Sequence, residues 1–289
     1  MLLSIVSYQN LIKKDTKMSK PKTYVTIILD QSSSMGGTKA QAVQGYNEHV
    51  QQMKINSKEQ DIFCSLITFN GDVFEHLWME PADKLAEAST EDYKTEGSTA
   101  LRDAVGYAIE KLNRTVTDKE ASHLVIIVSD GEENSSKHFS NSALNELKDS
   151  VEKTGKWTFT YMGCDDKYLQ KISKDMKIPL SNMAKWSNNT PELAMRGMKR
   201  TADKAGGYYR SRVNGAIASN NVYSDVACLA DFTTDEGDPV PVVVVPDLNI
   251  MMTTLLNDGH EAMNIKNDGH EASCYVSPFN NYKPVDWKG

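Results

Sequence analysis

The sequence predicts an α/β fold: a mostly parallel sheet with one antiparallel edge strand and helices on both faces. Three observations carry this. Apolar runs of strand length alternate with segments whose apolar residues recur at three-and-four spacing. The run His123-Leu124-Val125-Ile126-Ile127-Val128-Ser129 is apolar without alternation, as a strand covered on both faces must be. Asn70-Gly71-Asp72 is a hairpin-turn signal between two strand-like runs, so the second of them has to run antiparallel to the first.

The elements follow in order. Residues 23–29 form the first strand, ending at Asp30. Residues 39–54 follow as a helix with Val43, Tyr46, Val50 and Met53 on one face. Strands at 62–69 and 73–79 flank the hairpin turn. After a loop holding Thr95-Glu96-Gly97-Ser98-Thr99 comes a helix with Leu101, Val105, Ala108 and Leu112 on one face. The buried strand at 123–129 follows, then a helix over 140–153, a strand over 157–162 and a short helix over 166–174. Ile178-Pro179-Leu180 opens a final short segment. Thr190-Pro191-Glu192 starts the last helix, with Thr as N-cap and Pro at its first position, and Gly206-Gly207 is expected to stop it.

From about Arg210 the pattern changes. Val240 to Val245 is β-like, but Pro239, Pro241 and Pro246 restrict it to an edge strand. Asn257-Asp258-Gly259-His260-Glu261-Ala262 recurs as Asn267-Asp268-Gly269-His270-Glu271-Ala272, too short a repeat for a solenoid. Its first reading is a pair of turns, with His260, Glu261, His270 and Glu271 around a transition metal as the rival. The chain divides into an N-terminal extension (1–20), one α/β domain (21–212) and an irregular C-terminal tail (213–289). Met18 is a candidate natural start.

Composition narrows the function. A net charge of −7 over 289 residues argues against a general nucleic-acid binder. The cluster Arg196, Lys199, Arg200, Lys204, Arg210 and Arg212 reads as a solvated helix face. No apolar run is long enough to span a bilayer, and the apolar start lacks the basic region of a signal peptide. Cys64, Cys164, Cys228 and Cys274 form no C-x-x-C pair, which favours reduced thiols in a reducing, cytoplasmic compartment. His49, His76, His123 and His138 share no spacing, and Trp78, Trp157 and Trp186 read as core. There is neither a nucleophile elbow nor a phosphate-binding loop.

The chemistry concentrates at the carboxyl edge of the sheet, where open α/β sheets bind ligands. Asp30-Gln31-Ser32-Ser33-Ser34-Met35 puts an aspartate and two hydroxyls at alternate positions after the first strand. Thr99 follows Gly97-Ser98 ahead of a helix, with a helix N-cap as its ordinary role and Thr95 and Ser98 as rivals. Ser129-Asp130-Gly131-Glu132-Glu133 leaves the buried strand, and Glu132 and Glu133 read as exposed acids rather than ligands. Oxygen-only donors suit a hard cation. Helices starting near Gly37 and Thr99 are expected to turn their N-termini toward the site and favour an anion there.

These three motifs, with Gly97-Ser98-Thr99-Ala100-Leu101 as the second, resemble the metal-ion-dependent adhesion site of von Willebrand factor type A domains. The resemblance covers residues 21 to about 208. The third motif and Trp157-Thr158-Phe159-Thr160-Tyr161-Met162-Gly163 are similar to small intracellular versions from bacteria and their phages. It implies a Rossmann-like fold and Mg²⁺ held by Asp30, Ser32, Ser34, Thr99 and Asp130, with Mn²⁺ or Ca²⁺ as other ions for the same oxygens. The expected function is a non-enzymatic protein-binding module. Its ion accepts an Asp or Glu carboxylate from a protein partner, with neither nucleic acid nor membrane involved. The expected location is the cytoplasm of a bacterium or phage-infected cell, or a virion. A virion-associated scaffold docking through the tail is the alternative, and a metal-dependent hydrolase a weaker one.

Overall fold

The computed structural model describes residues 20–186, 190–215, 218–219, 221–223, 277–279 and 282–287. The extension before Lys20, the β-like run at 240–245 and both copies of the repeated hexamer, with their histidines and glutamates, lie outside the described residues.

Six strands form one sheet: β1 (Lys22–Asp30), β2 (Asp61–Phe69), β3 (Val73–Pro81), β4 (Ser122–Val128), β5 (Trp157–Gly163) and β6 (Met183–Lys185). Their spatial order is β3-β2-β1-β4-β5-β6. All neighbours are parallel except β2 and β3, which the Asn70–Asp72 turn makes antiparallel. The sixth strand, β6, lies beyond the five-strand expectation. Three residues carry too little pattern to announce a strand, and β6 forms because β5 offers it an open edge.

Five helices cover the sheet: α1 (Lys39–Asn56), α2 (Leu101–Thr115), α3 (Asn141–Glu152), α4 (Asp166–Met176) and α5 (Pro191–Val213). Successive residues of β1 feed opposite faces. Val25, Ile27 and Leu29 pack with Tyr46, Val50 and Met53 of α1 and Met198 and Tyr209 of α5. Tyr24 and Ile28 pack with Leu101, Val105 and Ile109 of α2 and Leu144 of α3. Each fully buried side chain of this kind contributes about 1.5–3 kcal/mol. Both faces of the sheet are therefore covered by helices, as in open α/β sheets whose ligands bind beyond the strand ends.

Helix α5 does not stop at Gly206-Gly207. It starts as expected, with Thr190 Oγ1 accepting from Leu193 N, but continues six residues past Gly207 to Val213. Tyr208 and Tyr209 are 4% and 0% exposed, and burying them carries the helix on. Gly206 serves close packing instead: a Cβ there would stand 2.4 Å from Gln52 Oε1 of α1. The left-handed glycine is Gly215 (φ +81°), two residues past the last helical one.

Cys64 is buried, its thiol is pushed up to about 12 by burial, and neither it nor Cys164 is in a disulfide. Trp157 and Trp186 are buried as expected, and Trp78 is half-buried under the Lys111 ammonium. No helix among the described residues is long and apolar enough to cross a membrane.

Three histidines belong to the packed interior. His76 shares a 2.7 Å hydrogen bond with Thr68 Oγ1, and His123 stacks on Trp157 at 4.1 Å. Desolvation holds His49, His76 and His123 each at about 4, below the ordinary 6.5. The unfolded chain therefore binds protons between about 6.5 and 4 that the native state refuses. The stability these neutral rings contribute is complete above about 6.5 and lost as pH falls toward about 4. The buried carboxyl of Asp30, raised to about 6, acts in the opposite sense and offsets part of that slope. The expected outcome is a denaturant midpoint that falls on acidification across this window. His123→Phe, which keeps an aromatic ring against Trp157, should flatten the profile.

Candidate metal centre

Register builds the site. β1 and β4 pair with Leu29 opposite Val128, so Asp30 and Ser129 leave the sheet side by side. Asp30 is fully buried. Its Oδ1 accepts from Ser32 N at 2.7 Å and its Oδ2 from Ser129 Oγ at 2.5 Å. Its carbonyl accepts from the hydroxyl of buried Tyr93. Burial nevertheless outweighs these donors and lifts the Asp30 carboxyl to about 6, with Asp130 nearby adding to the rise. Burial also raises Asp130, against the lowering effect of its bond from Ser34.

The first loop turns through a short 3₁₀ helix, Ser33–Thr38, before α1. That turn sets Ser32 Oγ 3.0 Å from Ser34 Oγ, and Ser34 Oγ donates to Asp130 Oδ1 at 2.8 Å. The second loop is tied to the first by Ser33 N to Gly97 O (3.1 Å) and Glu96 N to Gln31 O (2.8 Å). Gly97 makes the turn with φ +79°, a conformation most side chains disfavour.

The third loop closes the cluster at Gly131. A Cβ built on this glycine would lie 3.1 Å from Ser34 Oγ, 3.3 Å from Thr99 Oγ1 and 3.5 Å from Asp30 Oδ2. Side-chain oxygens from the first two loops thus face one point on the third. Asp30, Ser32 and Thr99 form a floor no more than 3% exposed, whereas Ser34 lies in the open mouth. Two carboxylates and three hydroxyls are an oxygen-only set that fits a hard divalent cation. Among the described residues no three His, Cys, Asp or Glu side chains converge, so any ion held here depends on the hydroxyls.

Several expectations change in detail. Thr99 is not the N-cap of α2; that position is Ala100, with no side-chain cap of its own. The cap comes from the third loop, where Glu133 Oε2 accepts from Arg102 N (2.9 Å) and Ser136 Oγ from Asp103 N (3.1 Å). Glu133 is therefore a half-buried structural acid rather than an exposed one, and it already occupies the amide end of α2 expected to attract an outside anion. Glu132 is exposed, as expected, and pairs with Lys171 at 3.0 Å. Ser98 turns away from the cluster, its Oγ lying 2.9 Å from a Cβ built on Gly71.

Three supporting residues escaped sequence reasoning. Ser129 opens the third motif in the sequence, but nothing local shows that its hydroxyl bonds the Asp30 carboxylate. Tyr93 carried no motif. Asp103 accepts from Lys137, His138 and Phe139 backbone N–H groups at 2.7–2.9 Å and so anchors the far end of the third loop. A signal existed for Asp103, because it is an acid among the core-facing residues of an otherwise apolar helix face.

Fold and strand order define a mostly parallel α/β domain whose oxygen-bearing loops gather at one edge of the sheet. Residues 25–194 match the von Willebrand factor type A domain family, and the chain belongs to it. No curated protein sequence matches the chain. Solved structures with similar folds include a von Willebrand factor type A protein from Catenulispora acidiphila, 17% identical with a TM-score of 0.48, the alignment covering 65% of this chain and 43% of that one. The vWF domain of the type V pili tip protein Mfa5 from Porphyromonas gingivalis is 11% identical (TM-score 0.46), over 65% of this chain and 96% of that one. Manganese-loaded TRAP from Plasmodium vivax is 14% identical (TM-score 0.44), over 60% and 71%.

The Gly131 geometry yields a sharp test. Gly131 has no left-handed φ, so Gly131→Ala is tolerated by the backbone, but its methyl stands against three of the oxygens. The variant should melt within a few degrees of wild type and bind Mn²⁺ at least about tenfold more weakly by titration calorimetry. Undiminished Mn²⁺ affinity would show that the oxygens around Gly131 do not form the ion's seat.

Proposed function

We propose that this chain is a metal-dependent protein-binding module. In this reading Asp30, Ser32, Ser34, Thr99 and Asp130 hold Mg²⁺, with Mn²⁺ or Ca²⁺ able to take its place. The ion accepts an Asp or Glu carboxylate from a protein partner. The observation that carries the reading is the facing of Ser34, Thr99 and Asp30 oxygens onto the single position of Gly131. Membership in a family whose domains mediate protein–protein contacts and commonly bind a divalent ion supports it.

The chain's own residues have separable tasks. Ser129 and Ser32 N orient the Asp30 carboxylate, and Asp130 orients Ser34. The bound ion would supply Lewis acidity toward an outside oxygen. With three neutral hydroxyls among five donors, the set leaves the ion electron-poor and receptive to an added carboxylate. A hydrolytic reading finds less support. Asp30 and Asp130 are both engaged by hydroxyl or amide donors, which leaves neither of them poised as a general base.

Two outcomes are expected. Asp30→Ala or Ser32→Ala should leave the far-ultraviolet dichroism unchanged, abolish Mg²⁺-induced thermal stabilisation, and abolish capture of a partner, as should EDTA. Partner capture that persists undiminished in EDTA would sink the reading. Metal affinity should also depend on pH, because the ion displaces the Asp30 proton. Above about 6 the carboxylate is ready, and below it apparent affinity should fall about tenfold per pH unit. A calorimetric titration series across that range, in two buffers of different ionisation enthalpy, measures the released proton directly.

A further inference from the structure

Residues 277–279 and 282–287 pack against the domain beside the candidate metal centre. Phe279 is 3% exposed and packs against Tyr46, His76 and Tyr93 at ring separations of 5.6–5.9 Å. Tyr93 is the residue whose hydroxyl holds the Asp30 carbonyl. Three residues on, Tyr282 donates its hydroxyl to the carbonyl of Asp92 and meets His76 edge-on at 5.3 Å. The Lys94 ammonium sits 4.7 Å from the Tyr282 ring centroid. Pro284 then pairs with Phe74, and Val285 N donates to Val73 O at 2.8 Å, which extends the sheet past β3. Finally Trp287 stacks on His138 at 3.9 Å with only 9° between the planes.

This single segment touches both loops that complete the cluster around Asp30. Asp92, Tyr93 and Lys94 lie on the approach to Thr99, and His138 lies in the loop that begins at Asp130. His138 is also one of the residues whose amide Asp103 anchors. None of the aromatic contacts involves a metal-site side chain. Their effect on the site runs through Tyr93, through the third loop and through Gln31, the neighbour of Asp30, which the Tyr282 side chain reaches.

We propose that residues 277–279 and 282–287 act as a strap that fixes the Thr99 and Asp130 loops relative to Asp30, with Phe279 and Trp287 as positioning residues. Metal affinity then depends on a segment more than 140 residues beyond the last proposed ligand, Asp130. This consequence rests on the metal-binding reading; the restraint on the two loops does not. Because β3 is the sheet edge, the strap also covers the Val73–Phe74 end of an otherwise open row of backbone groups.

The test uses the full chain carrying Phe279→Ala, Trp287→Ala or both. Two readouts are taken: amide hydrogen exchange of residues 90–99 and 131–139 in metal-free protein, and Mn²⁺ affinity by calorimetry. Trp287→Ala should speed exchange in 131–139, Phe279→Ala in 90–99, each about tenfold, with the β1 amides unchanged. The double variant should bind Mn²⁺ about tenfold more weakly or worse, and Trp287→Phe should recover most of the loss at its site. Ile62→Ala, a core truncation at the start of β2 and so at the opposite end of the sheet, controls for general destabilisation and should change neither loop. Unchanged loop exchange in the double variant overturns the strap, whether or not wild type binds Mn²⁺. Faster exchange with unaltered Mn²⁺ affinity overturns its influence on the metal. Failure of wild type to bind Mn²⁺ counts against the metal reading alone, and the exchange readout still decides the strap.

Discussion

Everything at the strand edge depends on a carboxylate kept where solvent does not reach. Asp30 ends the central strand with no exposed surface. A buried charge is tolerated only when donors or a cation compensate it. Ser129 Oγ, Ser32 N and the Ser32 hydroxyl all favour the charged form, and they do not suffice to keep the carboxyl in its ordinary range. The group is thus held in a state that a divalent ion would relieve. The same constraint explains the neighbours. Ser129 must stand beside Asp30, which the β1–β4 register ensures, and the chain after Asp30 must turn sharply enough to aim its own amide back at the carboxylate.

Around that centre the loops behave as one unit because they are bonded to each other rather than to solvent. Asn134 accepts from Thr99 N and returns its own amide to Thr99 O. Glu133 and Ser136 cap α2 from across the gap, and Asp103 of α2 holds the loop's far end. Buried or half-buried polar networks of this kind are costly when partly satisfied and rigid when fully satisfied. The third loop is therefore tied to the helix that follows the second.

Much of the fold was legible because its signals are local. Strand and helix periodicities, the Asn70-Gly71-Asp72 turn and the Thr190-Pro191 helix start each depend on a few adjacent residues, and each appears where expected. The metal-site candidates were legible because alternate oxygens after a strand are a spacing pattern. The misreadings share a cause. Gly206-Gly207 looked like a stop because a glycine pair usually is one, but the force that decided the matter was burial of Tyr208 and Tyr209 against another helix. Thr99 looked like a cap because nothing local disclosed that Glu133, over thirty residues away, already capped that helix.

By itself, then, the sequence determined the alternation of elements, the antiparallel hairpin and the set of five oxygen-bearing residues at strand ends. Periodicity and turn chemistry act between neighbours in the chain. Only the tertiary structure decided that oxygens of Ser34, Thr99 and Asp30 face Gly131, that Ser129 and Tyr93 hold Asp30 from opposite ends, and that Phe279 and Trp287 pack against Tyr93 and His138. Those are contacts between segments tens to hundreds of residues apart. They follow from strand register and burial, which depend on the whole core at once and leave no trace in local spacing.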